Sequence, residues 1–359
     1  MNTKVKFAVV GFGHIGKRHA ETIMQNSEAE LVAIVDINKE LSELAVKAFG
    51  CLFFDSLYDL LEAKLNIDII NICTPNFEHA PQAIKCLEAR YHVVCEKPMA
   101  LTTEDCKEVI AKSMEVGKHV FCVMQNRYSP SAKWLKNIIA EGHLGPINMV
   151  LVNCFWNRGA QYYKQSAWRG KRKLDGGTLF TQFSHFIDTL YWLFGDLSNL
   201  QARLKNFNHE SLVEFEDTGI ITFDINSGGT GCFNYTTSAW DKNFESSIII
   251  MGEKGSVKVG GQYMNKIEYC HIQNYDMPRV EESPPPNDYG TYKGSAANHH
   301  FVIENVIDTI KGRSQVAIKA DEGLKVVEII ERIYSSNKDK LDLPELELDG
   351  RKTDLNYFK

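Results

Sequence analysis

The sequence predicts an α/β chain in two parts: a doubly wound first part on a parallel sheet, then an α+β part with a large, mostly antiparallel open sheet. Three observations carry this. Short β-branched apolar runs alternate with amphipathic stretches from Lys4 to Met124, as when strand and helix take turns in a parallel sheet. After Tyr128 the pattern changes to runs of strands with few helices. The 359 residues suffice for two domains at roughly 150 residues each, placed at 1–125 and 126–359.

In the first part, strands are expected at Val5–Val10, Leu31–Asp36, Ile67–Ile72, His92–Cys95 and His119–Met124. Helices are expected between them at His14–Asn26, Asn38–Phe49, Phe77–Arg90 and Thr103–Gly117. Thr103 is the expected cap of the last, with Glu104 and Asp105 favouring its dipole. The second part holds one long helix near Thr178–Phe194, then strands at Asn199–Phe207, Glu214–Phe223, Gly229–Ser238, Phe244–Met251 and Ser256–Gly260. The proline-bearing stretch Ser283–Gly294 reads as an extended loop, and helices at Asn298–Lys311 and Asp321–Ser335 precede a polar tail.

Composition narrows the function classes. A content of 44% apolar and 24% charged residues excludes disorder, collagen and a small disulfide scaffold. A net charge of −6, from 40 basic and 46 acidic residues, gives no global pull toward nucleic acid or an anionic membrane. No apolar run is long enough for a membrane span, and the first one leads into a glycine loop, so a cytoplasmic protein is expected. Nine cysteines without a CxxC pair read as reduced core thiols.

Gly11-Phe12-Gly13-His14-Ile15-Gly16 follows the first strand and opens the first helix. The first glycine permits the tight turn, the second lets backbone approach a pyrophosphate, and the third lets helix and strand pack closely. The helix N-terminus then offers free N–H groups to phosphates. Asp36 ends the second strand, where a carboxylate accepts ribose hydroxyls and repels a 2′-phosphate; NAD is favoured over NADP, with Lys39 the one feature that softens the preference. The first part therefore reads as a Rossmann dinucleotide-binding domain.

Strand His92–Cys95 runs into Glu96-Lys97-Pro98, placing Lys97 at the carboxyl end of a parallel strand, where ligands bind in open α/β sheets. Such a lysine either polarises a hydroxyl and carries a proton or is a surface residue of the turn. In the helix at Thr178–Phe194 the apolar residues make one face, and Thr181, His185, Asp188 and Trp192 lie on another. His185 then has Thr181 and Asp188 one turn away as partners to fix its tautomer, as a base needs; a hydrogen-bonded structural histidine gives the same spacing. Arg158, Arg169, Lys171, Arg172 and Lys173 concentrate cations near Tyr162, Tyr163 and Trp168, a pattern for an anion with a ring or for a solvated loop. Asn298 and His299 head a helix, where they hold a carboxylate or simply cap. Cys270-His271 and His299-His300 lack any HExxH, clustered acid or CxxC, and no metal is expected.

The glycine loop, Ile72-Cys73-Thr74-Pro75-Asn76 with His79, and Glu96-Lys97-Pro98 together resemble the glucose–fructose oxidoreductase / inositol 2-dehydrogenase superfamily over essentially the whole chain. The resemblance implies that the C-terminal sheet is a substrate floor and oligomer interface, and that Lys97 lies beside the nicotinamide and substrate. Further motifs are similar to the UDP-N-acetyl-2-amino-2-deoxyglucuronate 3-dehydrogenases: Gln125-Asn126-Arg127-Tyr128-Ser129-Pro130, Phe155-Trp156-Asn157-Arg158, Tyr162-Tyr163, Trp168-Arg169-Gly170, Gly176-Gly177 leading to Ser184-His185, and Gly294 to His299. That likeness implies NAD-dependent oxidation of the 3-hydroxyl of UDP-N-acetylglucosaminuronic acid, on the route to bacterial surface polysaccharide. It implies Lys97 and His185 as catalytic residues. Cofactor contacts are implied for Gly11, Gly13, His14, Ile15, Asp36, Thr74, Pro75, Asn76, His79, Glu96, Lys97, Gln125, Trp168 and Arg169. Substrate contacts are implied for Lys97, Asn126, Arg158, Tyr163, Thr181, His185, Asn298 and His299. The superfamily usually has an aspartate where this chain has Thr181, so proton work is divided differently here. A homo-oligomer, dimer or tetramer, and a 2-oxoacid that recycles the cofactor are the implied partners. The rival readings are another sugar or cyclitol dehydrogenase, a lyase that uses NAD transiently, and a non-catalytic NAD-binding regulator.

Overall fold

The computed structural model describes residues 3–337 apart from 282, 284, 289, 291 and 292; the expected polar tail, from residue 338 onward, lies outside the described residues. The first part runs β1 (Val5–Val10), α1 (His14–Gln25), β2 (Ala29–Val35), α2 (Leu41–Phe49), β3 (Leu52–Phe54) and α3 (Leu57–Glu62). It continues with β4 (Ile69–Ile72), α4 (His79–Glu88), β5 (His92–Cys95), α5 (Thr103–Val116) and β6 (Val120–Cys122). These strands form one parallel sheet in the order β3-β2-β1-β4-β5-β6. The order reverses at β1, so the chain leaves β1 and β4 toward opposite sides of the sheet, the switch point at whose carboxyl ends ligands bind in such sheets. The sequence pattern did not anticipate β3 and α3; three residues, none of them buried, are too few for a period to register. The cap of α5 is Thr102, whose hydroxyl accepts from Asp105 N–H, and not Thr103, which bonds the carboxylate of Glu331.

The second part begins with α6 (Pro130–Ala140), β7 (Ile147–Phe155), α7 (Ala160–Lys164) and α8 (Arg172–Asp175), none of which was expected. A π-helical turn, Leu179–Phe183, leads into α9 (Ser184–Phe194). Then follow β8 (Leu197–Lys205), β9 (Thr218–Ile225), β10 (Thr230–Thr236), β11 (Glu245–Gly252), β12 (Gly255–Gly260) and β13 (Lys266–Ile272). Their sheet has the order β13-β12-β11-β7-β10-β9-β8, and only β7 and β10 pair in parallel. The expected strand at Glu214 starts four residues later, because Glu216 and Asp217 turn into the interior. The expected loop at Ser283–Gly294 contains a short hairpin, β14 (Pro286–Asp288) with β15 (Lys293–Ala296). The chain closes on α10 (His299–Ile310) and α11 (Ala320–Ser335).

The inner face of the second sheet packs on α9 through aromatic edges: Phe183 and Phe186 meet Trp156, Phe233 and, from Phe183, Tyr235. The outer face leaves Met149, Ile220 and Met251 exposed. The two closing helices return to the first part. Val302, Ile303, Val306 and Ile307 of α10 join Phe7, Val9 and Ile23 in one core, and α11 packs on α5. No helix among the described residues is long and apolar enough to cross a membrane. The nine cysteines are all free.

Candidate active site

The site starts where β1 ends. Gly11 has φ +87°, and a Cβ there would lie 2.7 Å from the Cys73 carbonyl oxygen, so the loops after β1 and β4 are in backbone contact. A Cβ at Gly16 would lie 1.8 Å from the Gly11 carbonyl, whereas at Gly13 nothing stands within 4 Å. The loop is thus closed beneath and open above. Helix α1 begins with no side-chain cap and no acid in its first turn, so its leading N–H groups suit an anion. Asp36 holds the loop from the side, with Oδ2 accepting from Phe12 N–H at 2.6 Å and Oδ1 from Asn38 N–H at 2.8 Å. An open glycine, an uncapped helix and a carboxylate beside them fit a dinucleotide. His14 and Ile15 form the first turn of α1 on this side, and Lys39 pairs with Asp55 at 2.5 Å.

Lys97 follows β5 at the same sheet edge, and its peptide to Pro98 is cis. The residues around it turn inward more than expected. Glu96 is buried; its Oε2 accepts from Lys97 N–H at 3.1 Å and its Oε1 lies 2.9 Å from His19 Nε2 and 3.5 Å from His299 Nε2. Asn71 Nδ2 donates to His19 Nδ1 at 2.9 Å, which puts the His19 proton on Nε2, facing Glu96. Burial opposes ionisation of Glu96, yet hydrogen bonds from His19 and His299 hold its carboxyl well below the usual range. Ligating atoms of His19, Glu96 and His299 lie within 4.8 Å of one another, a grouping the sequence gave no sign of. His79 directs Nδ1 to the Pro98 carbonyl at 2.6 Å and Nε2 to the Thr74 carbonyl at 2.8 Å. Glu96 and His79, expected against the cofactor, therefore spend their polar atoms bracing Lys97, Thr74 and Pro98.

His185 is buried near the start of α9, in a setting unlike the expected one. Asp188 gives both carboxylate oxygens to Arg127, at 2.6 and 2.9 Å, and Thr181 bonds Asp175 and Asn76. Neither fixes the histidine. For Thr181 the π turn is the reason, since its extra residue breaks the four-residue alignment with His185; Asp188 is engaged by Arg127 instead. Instead Gln125 Nε2 lies 3.1 Å from His185 Nε2, which leaves the ring proton on Nδ1, a buried atom with no partner among the described residues. Burial, then the charge of Lys97, pushes the imidazole well below its ordinary range, so it is neutral at neutral pH. Lys97 Nζ donates to the Thr181 carbonyl at 2.6 Å, tying the turn after β5 to the π turn that leads to His185. Burial lowers the Lys97 amine, while Glu96 and Asp175 raise it.

Other expected residues separate. Arg158 is buried in protein contacts, to Gln182 Oε1 at 2.7 Å, the Asn157 carbonyl at 2.6 Å and Asn243 Oδ1 at 3.2 Å. Its guanidinium also lies over the Trp156 ring. Tyr163 packs edge-on to Tyr162 in a small core with Val213 and Phe215. Asn298 Nδ2 donates to Ser129 Oγ at 2.9 Å and the Gln125 carbonyl at 3.3 Å, so it pins Gln125 and does not cap α10. Of the cation run, Lys171 pairs with Glu214 and Arg172 lies over Tyr334. Arg169 alone stacks at the crevice: it lies over Tyr162 and Trp168 and is near enough to lower the His14 imidazole, after burial. Thr74, Asn76 and Asn126 line the same edge, Thr74 bonding Gln82 and Asn126 keeping a buried Oδ1 without a partner among the described residues. Sequence reasoning missed Asp175, whose only local signal is its place before Gly176-Gly177.

Comparison with known proteins agrees with this geometry. Residues 5–123 match the model of an oxidoreductase family's NAD-binding Rossmann fold, and residues 136–343 match the same family's C-terminal alpha/beta domain. The WlbA dehydrogenase from Bordetella pertussis, solved in complex with NADH and UDP-GlcNAcA, is 36% identical, with TM-score 0.83 over 94% of this chain and 97% of that one. The WlbA dehydrogenase from Chromobacterium violaceum, solved with the same ligands, is 35% identical, with TM-score 0.84 over 94% of each chain. Glucose-6-phosphate 3-dehydrogenase of Bacillus subtilis is 30% identical over 79% of this chain and 83% of its own. A crevice fitted to a dinucleotide, a lysine and a neutral histidine at its edge, and two family matches that span most of the chain make this protein an NAD-dependent oxidoreductase of the glucose–fructose oxidoreductase / inositol 2-dehydrogenase family.

Proposed function

We propose that this enzyme oxidises the 3-hydroxyl of UDP-N-acetylglucosaminuronic acid in bacterial surface-polysaccharide synthesis. The observation that carries the reading is the tie between Lys97 and the turn leading to His185, at the mouth of a dinucleotide crevice. The likeness over 94% of the chain to dehydrogenases solved with UDP-GlcNAcA supports the substrate. NAD, when bound, supplies the acceptor for the hydrogen leaving the alcohol carbon. Gly13, the first turn of α1 and Asp36 are the residues to hold it. His185, neutral and with its Nε2 lone pair directed at an exchangeable amide, takes the hydroxyl proton. Lys97 donates to the oxygen as negative charge gathers there. Arg169 serves the anionic part of the ligand from its aromatic stack. We assign the boundary between the parts to the segment near Gln125, a cytoplasmic site of action, and self-association through the outer sheet face, whose exposed Met149, Ile220 and Met251 support it. Recycling of the cofactor by a 2-oxoacid completes the proposed cycle.

Single-turnover measurement of NADH formation tests the assignment. With UDP-N-acetylglucosaminuronic acid, Lys97→Met and His185→Asn are each expected to slow the chemical step by about 10²–10⁴-fold while NAD still binds. Near wild-type rates in both variants overturn the roles. Turnover of glucose 6-phosphate or inositol but not the UDP-sugar acid overturns the substrate and leaves the chemistry.

A further inference from the structure

Two carboxylates raise the Lys97 amine: Glu96, its neighbour in the chain, and Asp175, which lies outside both motifs that announce the site. Asp175, the last residue of α8, is 1% exposed. Its Oδ2 accepts from Gly170 N–H at 2.7 Å and its Oδ1 from the Thr181 hydroxyl. Its main-chain carbonyl accepts from Asn76 Nδ2 at 2.8 Å, and the same Asn76 amide reaches the Thr181 hydroxyl at 2.7 Å. Four segments therefore meet at one residue: the turn after β4, the Trp168–Gly170 loop, α8 and the π turn. The chain just beyond is fixed, since a Cβ on Gly176 would strike Leu101 at 2.5 Å and one on Gly177 would strike the Tyr334 hydroxyl at 2.2 Å.

Thr181 joins the acid to the amine. Its hydroxyl touches Asp175, and its carbonyl, on the same residue, receives Lys97 Nζ. We propose that Asp175 is a positioning residue that, through Thr181, holds the Lys97 amine in place and in its charged form. The proposal rests on the reading of Lys97 as the group that stabilises the reacting oxygen. The charged and titratable groups facing Asp175 are Lys97 from the turn after β5, Arg169 from the loop and Tyr163 from α7. Glu96 also supports the charge on Lys97, whereas burial and Arg158 oppose it. Removing Asp175 leaves Glu96 as the one remaining counter-charge among the described residues for a buried ammonium group.

Burial pushes the Asp175 carboxyl up to about 6, against hydrogen bonds from Thr181 and Gly170 and the charges of Arg169 and Lys97. The acid thus ionises in a range that a titration covers. In protein labelled with ¹³C at lysine Cε, the Lys97 resonance, identified by its loss in Lys97→Met, is expected to show an inflection near pH 6 that Asp175→Asn abolishes. The amine's own titration then moves to lower pH in Asp175→Asn and returns in Asp175→Asn/Thr181→Asp, which puts a carboxylate back beside the same carbonyl. A wild-type resonance without the inflection overturns the proposal, and needs no variant to fold. An unmoved Lys97 titration in a folded Asp175→Asn also overturns it and leaves Asp175 as a turn anchor. With substrate, Asp175→Asn is expected to lower kcat about tenfold and move its alkaline limb to lower pH, with KM for NAD unchanged. The resonance readout uses no sugar, so failure of every candidate substrate overturns the proposed reaction alone.

Discussion

Gly13 and Gly16 stand three residues apart in one loop and respond differently to an added methyl group. Gly16→Ala drives a Cβ into the Gly11 carbonyl and is expected to cost about 3 kcal/mol or more of stability. Gly13→Ala meets open space, so it should melt like the wild type and lose NAD affinity, because the space belongs to the ligand. Thermal melts and a fluorescence titration with NADH check both; a Gly13→Ala protein that binds NADH normally contradicts the placement. What was legible in the sequence was place in the chain: glycines in the loop after β1, Asp36 at the end of β2 and Lys97 after β5, each fixed by a local strand-to-turn pattern. Those misread make distant pairs. His19 and Glu96 are 77 positions apart, Arg127 and Asp188 are 61 apart, and no local spacing tells which way such side chains turn.

Helix α9 was legible as an element but not in its phase. Its apolar face, from Phe183 to Leu193, follows the helical period, yet the π turn before it shifts every earlier side chain. That shift takes Thr181 from the histidine, while Asp188, which lies after the π turn, is taken by Arg127. The Arg127–Asp188 pair, with Glu322 of α11 on the other side of the guanidinium, fastens the short turn after β6 to α9 and α11. Asp188 is fully buried, so Arg127→Ala leaves an unpaired charge and is expected to cost about 3–5 kcal/mol in urea denaturation. Arg127→Ala/Asp188→Ala should recover much of that loss. A single variant that loses less than about 1 kcal/mol contradicts the pair's role as a clasp.

Across the whole molecule, the buried acid Glu216 links stability to pH. Its Oε1 accepts from Tyr235 at 2.9 Å and from Tyr334 at 2.8 Å, joining the second sheet to α11. Burial pushes its carboxyl up from 4.5 to about 7 despite those bonds. A group raised by folding contributes most below its unfolded value, and that contribution fades as the pH climbs from about 4.5 to about 7. Glu216→Gln keeps an acceptor oxygen and removes the titration. The variant is expected to gain stability over the wild type between pH 5 and pH 8, by up to about 3 kcal/mol. Melting temperatures at the two pH values check it; a difference that does not grow with pH contradicts the assignment.

The general architecture was readable because alternation and periodicity are local, while the return of α10 and α11 to the first part was not. That return has a consequence for synthesis. A ribosome that has finished β6 has made the nucleotide crevice but not Val302, Ile303, Val306 and Ile307, which share a core with Phe7, Val9 and Ile23. At about 5–20 residues per second, that apolar flank waits on the order of ten to forty seconds for its cover. The nascent chain in that interval is the form most in need of a chaperone.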